Sequence, residues 1–329
     1  MERLKQTAII IYQGRDVTGD LAPILKGVTF RDHLDGKAGE LDIDLNNSSG
    51  LFLWDWFPDV NDRISVMIGF ETGLVMDCGA FWVDEVKLTG GASGDSCSIR
   101  GLSLPSLVIY APEARCNYEN RPIEEIVNGE AEKLGYKVVG DLSGTWSGLQ
   151  QETGLQFINR LAHETGRILK IENDTLIFYL LDDLLSSGAF ITIDSREVIS
   201  YDISDKAAGR ISKCTVKWWD RTTKREFFGS YDAKIKGGGS ALIWEEVKNN
   251  GEAASKAADY IKDRNKKGVE FTLNMEGDVR LRAGVAVETS GFGRFDSLYI
   301  IGEATHSVSD GGYTTRIKLQ RPEAKKKEQ

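Results

Sequence analysis

The sequence is poor in the residues from which metal sites and disulfide frameworks are built. Its 329 residues include only four cysteines and three histidines. The cysteines, Cys78, Cys97, Cys116 and Cys214, are far apart in the sequence and form no C-x-x-C pair. A zinc site needs clustered thiolate or imidazole ligands, so we expect neither a metal nor a cofactor. The cysteines are expected to be reduced thiols that pack as small apolar side chains.

The sequence also lacks a long apolar run and a surplus of basic residues. No stretch reaches the length of about 20 apolar residues that crosses a bilayer. The apolar stretch within MERLKQTAIIIYQG is followed by no small-residue cleavage site. We therefore expect no membrane insertion and no Sec-type export, and we expect synthesis in the cytoplasm. The net charge of −9 argues against nucleic-acid binding, which needs clustered Lys and Arg.

β-strand patterns are abundant in the first hundred residues. Six short segments there are rich in β-branched and apolar residues and are separated by Gly, Asn and Asp. One of them, ELDIDLN, alternates strictly, as a strand with one buried face does. The pattern fits a small barrel or sandwich, and we assign residues 1–108 to a first β-barrel.

The middle of the chain has a different pattern. Residues 121–136 and 154–166 carry apolar side chains on one helical face. Two strand patterns follow, and Asn173 and Asp174 form the turn between them. These elements predict a compact α+β insert domain over residues 109–190.

β-strand patterns return in the last part of the chain. They predict a second β-barrel over residues 191–233 and 268–322, interrupted by a Gly-rich loop and a helix over residues 234–267. Residues 323–329 are predicted to be a disordered tail. The expected fold is thus mainly β, with two similar small barrels and an α+β insert.

The two predicted barrels share several spacings. Any two antiparallel domains have some patterning in common, but the sharper interpretation is a duplicated barrel. A trimer of such a subunit would present six similar faces and could dock on a sixfold ring while keeping a threefold tip. The shared features are Asp59-Val60 and Asp278-Val279 before the strands, Gly69-Phe70 and Gly291-Phe292 at strand ends, and a glutamate 14 residues before an isoleucine (Glu85 and Ile99, Glu303 and Ile317).

Four segments in order, covering nearly the whole chain, carry a family resemblance. They are DVTGDLAPILKGVTFRDHLDGKAGELDIDL, FWVDEVKLTG, QETGLQFINRLAHETGRILKIENDTLIF and YIIGEATHSVSDGGYTTRIKL. They resemble the phage late control gene D family, the baseplate hub proteins of contractile tails, to which the hub domain of type VI secretion spike proteins is related. The resemblance implies a homotrimeric ring, with a hexameric tail tube on one side and a trimeric central spike on the other.

The resemblance also sets further expectations about assembly. Other baseplate proteins are possible partners, and the particle would be a virion or a tail-like particle assembled in the bacterial cytoplasm. The long C-terminal β-helix of fused spike proteins is missing, so we expect the spike to be a separate polypeptide. The hub of a tailocin or of an extracellular contractile injection system is an open alternative.

No segment carries a catalytic signature, and we expect a structural protein. His163 and Glu164 lack the second histidine of a zinc-peptidase helix, and the Gly-rich residues 90–95 lack the ending of a phosphate loop. Asp84 and Glu85 lie on a predicted strand, so they should point to opposite faces rather than act as a pair. The alternatives from other classes are a tail-associated cell-wall hydrolase and a free-standing carbohydrate-binding protein.

One aromatic-rich stretch is a candidate contact surface. In an extended chain its side chains would alternate between two faces, of which one could be core and the other would need a partner. Core packing is the alternative, and it is favoured for the Trp218-Trp219 pair. The candidate interface residues are Leu51, Leu53, Trp54, Trp56 and Phe57, with Phe52 among them in the sequence.

The first barrel is acidic. Residues 1–104 contain 9 basic and 16 acidic residues, a net of −7. A solubilising surface is the simple interpretation. The functional hypothesis is that these acids line a lumen, where like charge keeps DNA or effectors from sticking.

Overall fold

The computed structural model describes residues 5–320 except 72, 93, 106–107, 109–111, 181–187, 206–209, 221–223 and 267–268. Strands dominate the described residues, with four α-helices among them. The mainly β fold with an α+β insert is therefore confirmed. The predicted tail, residues 323–329, lies outside the described residues.

The first barrel consists of antiparallel strands in the sheet order β3-β4-β7-β6-β5-β1-β2. Alternation along the strands explains its core, because every second residue of β4 (Leu41, Ile43 and Leu45) is buried. The elements are β1 (Gln6–Tyr12), β2 (Arg15–Asp16), α1 (Thr18–Leu21), β3 (Leu25–His33), β4 (Glu40–Asn46), β5 (Arg63–Phe70), β6 (Val75–Thr89) and β7 (Ser96–Leu102).

The α+β insert has its own core between two helices and two small sheets. A capping box formed by Thr153 and Gln156 begins its second helix. The predicted turn residues, Asn173 and Asp174, both have positive φ angles, as a two-residue hairpin turn requires. The elements are β8 (Cys116–Pro122), α2 (Ile123–Leu134), β9 (Lys137–Gly140), β10 (Thr145–Gln150), α3 (Gly154–Glu164), β11 (Arg167–Glu172) and β12 (Thr175–Leu180).

The last part of the chain forms a second barrel and a separate small unit. The barrel has the sheet order β14-β18-β21-β20-β19-β13. The elements are β13 (Ile191–Asp194), β14 (Val198–Asp205), β15 (Ile211–Asp220), β16 (Arg225–Asp232), β17 (Gly239–Trp244), α4 (Asn250–Lys266), β18 (Val269–Glu276), β19 (Ala286–Ser290), β20 (Leu298–Ser309) and β21 (Gly312–Gln320).

The strands β15 and β16 correct the predicted domain boundary, which assigned them to the second barrel. They pair with each other, and β15 also pairs with β17, the strand of the Gly-rich segment. Helix α4 covers one face of this three-stranded sheet, where Cys214 and Val216 pack against Ala253, Ala257 and Ile261. The unit buries its own apolar face, so it needs no place in the barrel.

The two barrels have the same strand order, which supports the duplication. The order β3-β4-β7-β6-β5-β1 corresponds to β14-β18-β21-β20-β19-β13, although β1 is antiparallel to its neighbour and β13 is parallel. Each barrel has a bulge at the same place. The bulge of β6 lies just before Glu85, opposite Arg100, and the bulge of β20 lies just before Glu303, opposite Lys318.

The loops that lead into β5 and β19 form equivalent backbone hydrogen bonds. The Asn61 N–H donates to the Val83 carbonyl at 2.8 Å, and the Gly284 N–H donates to the Ile301 carbonyl at 2.8 Å. Asn61 and Gly284 both have positive φ angles. Asn61 is therefore the counterpart of Gly284.

This match corrects the sequence-based alignment of Asp59-Val60 with Asp278-Val279. Counting back from Gly284, the counterpart of Val60 is Ala283. The loops before β5 and β19 differ in length and composition, so a shared dipeptide does not fix which residues occupy the same place.

The two barrels are joined where β20 pairs with β3. Thirteen strands form one sheet because β20 pairs with β3 of the first barrel. At this junction the hydroxyl oxygens of Thr29 and Ser307 are 3.2 Å apart. Val308 and Tyr313, from β20 and β21, pack into the core of the first barrel.

A buried ionic cluster connects the first barrel, the insert and the second barrel. The Lys170 Nζ lies 3.1 Å from Asp32 Oδ2 and 3.4 Å from Glu172 Oε2. Arg282 bonds to Glu172 at 2.8 Å, and the Ala283 N–H donates to Asp32 at 3.0 Å. Burial raises the pKa of Glu172, but the adjacent Lys170 and Arg282 lower it by more. We call Asp32, Lys170, Glu172 and Arg282 the junction cluster.

His306 is buried in the same region, on β20. Its ring lies against Phe30 of the first barrel, with the ring centroids 6.2 Å apart. Its Nε2 is 3.0 Å from the Leu281 carbonyl, which can only accept, so Nε2 carries the proton. Its Nδ1 then accepts from the Tyr313 hydroxyl at 2.8 Å. The neutral imidazole satisfies both contacts.

Candidate assembly surfaces

The aromatic segment, residues 51–57, is a compact turn and not the extended strand that the sequence suggested. Leu51–Leu53 form a single 3₁₀ turn, preceded by Gly50 with a φ of 73°. Asn47 is 2% exposed, and its side-chain oxygen accepts from the Phe52 N–H at 3.1 Å. A buried polar side chain thus holds the turn in place.

Only Phe52 of the aromatic segment belongs to the core. It is 3% exposed, and its ring meets Trp56 edge to face with centroids 5.9 Å apart. Contiguous exposed apolar side chains of this kind mark contact surfaces. The exposed fractions of the candidate residues are 39% for Leu51, 57% for Leu53, 78% for Trp54, 38% for Trp56 and 46% for Phe57.

A second exposed apolar face lies on the β15–β17 sheet, opposite helix α4. Trp219, Phe228, Leu242 and Trp244 are 51%, 57%, 56% and 65% exposed. The strand register places all four on the same face. Core packing had been favoured for both tryptophans of the Trp218-Trp219 pair. Only Trp218 packs toward α4, and the alternation of β15 could have indicated this split.

Two acids on the outer face of the first barrel, Glu40 and Asp42 of β4, are paired with arginines. Glu40 lies 3.1 Å from Arg100 and 3.3 Å from Arg31, and Arg31 also bonds to Asp42. These side chains alternate with the buried residues of β4, so they point away from the barrel core.

Asp84, Glu85, His163 and Glu164 were the residues considered for catalysis, and each has a structural explanation. Asp84 and Glu85 are both exposed, because the bulge at Asp84 breaks the strict alternation that would send one of them inward. His163 is exposed at the end of α3. Glu164 accepts from the Trp146 indole N–H at 2.9 Å, a contact within the fold of the insert.

Two depressions lie among the described residues. One, of about 10 Å³, lies beside Asp32, Glu172 and Arg282 and belongs to the junction cluster. The other, of about 390 Å³, opens widely beside Glu124 and Asp141. Hydrogen bonds from Ser143 and Arg167 lower the pKa of Asp141 to about 2. A carboxyl group with so low a pKa is ionised at neutral pH, and it is therefore a poor general acid.

Three further features follow from the described ranges. These residues include no group of three His, Cys, Asp or Glu side chains placed to hold a metal ion. None of their helices is long and apolar enough to span a bilayer. Cys78, Cys97 and Cys214 are buried as expected, but Cys116 is exposed. Cys116 lies near the start of the insert, on a strand with mostly exposed side chains.

The sequence is similar to two curated phage proteins, although no family model matches it. It is 26% identical over 196 residues to the probable baseplate hub protein of Escherichia phage P2, covering 58% of this chain and 48% of that protein. It is 20% identical over 364 residues to the probable baseplate hub protein of Escherichia phage 186, covering 95% of this chain and 92% of that protein. The first match thus spans about half the length of the P2 protein.

Solved structures share the fold over nearly the whole chain. The 43 kDa tail protein of prophage MuSo2 from Shewanella oneidensis superposes with a TM-score of 0.74 at 16% identity, covering 97% of this chain and 99% of that one. A component of the Escherichia coli type VI secretion system superposes with a TM-score of 0.53 at 12% identity, covering 92% and 74%.

The solved structures that share this fold are a phage tail protein and a component of a type VI secretion system. Both sequence relatives are probable baseplate hub proteins of phages, and they support a phage baseplate hub family.

Proposed function

We propose that this chain is the structural hub of a contractile tail, where it links the hexameric tail tube to the trimeric central spike. The observation that carries the proposal is the duplication, because both barrels have one strand order and share a single sheet. Three chains with two such barrels each would offer six similar surfaces to the tube and one threefold surface to the spike.

The hub acts by geometry and buried area and catalyses nothing. It assembles as a homotrimer in the bacterial cytoplasm and becomes part of a virion or a tail-like particle, in contact with other baseplate proteins. The pKa values of Glu172 and Asp141, beside the two depressions, are lowered, whereas a cell-wall hydrolase needs a protonated carboxyl group as its general acid. Release of peptidoglycan fragments by the purified chain would favour the hydrolase instead. A tailocin or injection-system hub would work in the same way.

The aromatic segment is the candidate contact with the tube or with a neighbouring hub subunit. Its exposed tryptophans and leucines are the residue types that dominate the centres of interfaces. It is held rigidly by Asn47 and Phe52. A preordered surface loses little conformational entropy when it binds.

We expect the double substitution Leu53→Ser and Trp54→Ser to block assembly without unfolding the chain. Both side chains are mostly exposed, so the free energy of unfolding should change by no more than about 0.5 kcal/mol. Loss of a central hydrophobic contact weakens binding by about 2 kcal/mol or more, roughly 30-fold. The measurement is the amount of hub incorporated into tails when it is produced with its tail genes.

A matched control comes from the β15–β17 sheet. Leu242→Ser and Trp244→Ser remove side chains of the same types with similar exposure. This control should leave incorporation unchanged if the aromatic segment is the specific contact. Equal incorporation of both double variants would contradict the assignment of residues 51–57 to an interface.

A further inference from the structure

The exposed face of the β15–β17 sheet, opposite α4, carries aromatic rings and charges in ordered rows. Lys217 lies at the centre of one row, between Trp244 of β17 and Phe228 of β16. The two rings are two strand spacings apart, or about 10 Å, with the lysine between them. Trp219 follows Lys217 by two residues on β15 and therefore projects from the same face. The face thus offers three exposed rings around one cation.

Hydrogen-bonding side chains complete this face. Thr215 pairs with Ser230 in the next row, and Lys213 pairs with Asp232 in the row beyond it. Glu226 adds a carboxylate at the aromatic end. All of these side chains alternate along their strands with the residues that pack on α4. The rings are therefore surrounded by donors and acceptors that point to solvent.

The lysine at the centre of the face is available to a ligand. Its Nζ lies 3.5 Å from Glu226 Oε1, and the side chains of Lys217 and Glu226 are 38% and 45% exposed. Exposed ion pairs of this kind are weak because water and salt screen them. An anionic group on a ligand can therefore replace Glu226 as the partner of Lys217.

The strand-forming part of this unit is basic. Residues 211–244, from the start of β15 to the end of β17, contain 7 basic and 3 acidic residues, a net of +4. Residues 245–266, which continue to the end of α4, contain 5 of each. The whole chain has a net charge of −9. A basic face with exposed rings on an otherwise acidic protein favours an anionic occupant.

We propose that this face binds an acidic polysaccharide, whose chain of sugars lies across the strands. Sugar rings pack their apolar faces on Trp244 and Phe228, and an acidic group of the polymer pairs with Lys217 between them. Sugar hydroxyl groups donate to the Glu226 carboxylate and accept from the Thr215 hydroxyl. This binding is a further activity of the chain, beyond its proposed role in linking the tail tube to the spike.

The position of the charges favours a polysaccharide over a protein surface or a nucleic acid. The centres of protein interfaces are depleted in charged residues, whereas here Lys217 lies between two rings. A single-stranded nucleic acid carries a phosphate at every nucleotide, and the carboxylates of Glu226 and Asp232 on the same face would repel it. Those carboxylates are suitable acceptors for sugar hydroxyl groups.

The binding of four polymers of similar length to the purified chain tests the proposal. Polygalacturonate supplies sugar rings with carboxylates, and dextran supplies sugar rings alone. Polyglutamate supplies carboxylates alone, and oligothymidylate supplies bases with phosphates. Isothermal titration calorimetry at low salt measures each affinity. We expect polygalacturonate to bind at least about tenfold more tightly than each of the other three, and its affinity to fall as salt is added.

Variants of the face locate the site. Phe228→Ser with Trp244→Ser removes two rings that are 57% and 65% exposed, and it should weaken polygalacturonate binding at least about tenfold. Lys217→Gln should weaken this binding and reduce its salt dependence. The matched control, Phe190→Ser with Ile199→Ser, removes apolar side chains of the second barrel that are 71% and 61% exposed. It should leave the affinity unchanged. Thermal melting curves check that every variant is folded.

The outcomes separate this inference from the proposed function. Equal binding of dextran or of polyglutamate would overturn the proposal, because rings or charge alone would then suffice. Tightest binding of oligothymidylate would identify a nucleic-acid site instead. Absence of polygalacturonate binding, or binding that survives the loss of both rings, would also contradict the proposal. The hub role would stand in each case, because its candidate contact, the aromatic segment, does not include this face.

Discussion

Replacing Lys170 with methionine is expected to lower the free energy of unfolding by about 3–5 kcal/mol. Lys170 and Asp32 are each 5% exposed, and the lysine bonds to Asp32 and to the Ala283 carbonyl. Methionine fills a similar volume but leaves the buried Asp32 carboxylate without its main cation. An uncompensated buried charge is costly because the surroundings cannot solvate it. Chemical denaturation at pH 7 measures the change.

The matched control is the double substitution Lys170→Met with Asp32→Asn. Asparagine keeps an acceptor for the Ala283 N–H and removes the orphan charge, so it should restore about 1–3 kcal/mol of the loss. Arg121→Ala breaks an exposed ion pair with Glu125 and should cost less than about 0.5 kcal/mol. A loss below about 1 kcal/mol for Lys170→Met alone would show that the junction cluster does not join the three units.

The free energy of unfolding should fall by roughly 3 kcal/mol between pH 7 and pH 4 because of His306. Burial and the nearby Arg282 lower the pKa of His306 from its ordinary value of 6.5 to about 4, against the opposing effects of Leu281 and Asp278. Between these pH values the unfolded chain binds a proton that the folded chain cannot bind. Acid therefore favours the unfolded state over this window.

The variant His306→Gln isolates this contribution. Glutamine does not titrate, so the decline in unfolding free energy from pH 6.5 to pH 4 should be shallower than in the wild type by roughly 3 kcal/mol. His163→Gln changes an exposed histidine and should leave the wild-type slope intact. The comparison uses denaturation curves at several pH values. Parallel slopes for His306→Gln and the wild type would rule out a neutral, buried imidazole.

Local patterns predicted the elements of this fold well. The alternation in ELDIDLN gives the buried face of β4, and the Asn173-Asp174 pair gives the hairpin of the insert. The spacing from Glu85 to Ile99 and from Glu303 to Ile317 reflects a real structural repeat, because it counts residues between a bulge and a fixed row of the sheet. These features depend on residues that are close together in the sequence, so the sequence was sufficient to predict them.

Features that depend on distant partners could not be predicted in the same way. Alternation along β15 shows that one face is buried but not which sheet the strand joins, so β15 and β16 were assigned to the wrong unit. Lys170 lies in a strand pattern where a charge suggests solvent, and its partner Asp32 is 138 residues away. Asp32 itself carried a signal, because it follows Val28 and Phe30 on the core-facing side of β3.

The aromatic segment shows the same limit at a candidate site. The sequence identified its apolar side chains, and five of them are exposed. It did not predict that the segment turns, because the turn depends on the buried Asn47 and the left-handed Gly50.

The native mass of the purified chain, alone and mixed with the tail tube and spike proteins, tests the hub role most directly. The account predicts a complex that contains three copies of this 36.4 kDa chain, with the spike bound on one side and the tube on the other. A chain that stays monomeric in every mixture, and binds neither protein, would contradict it.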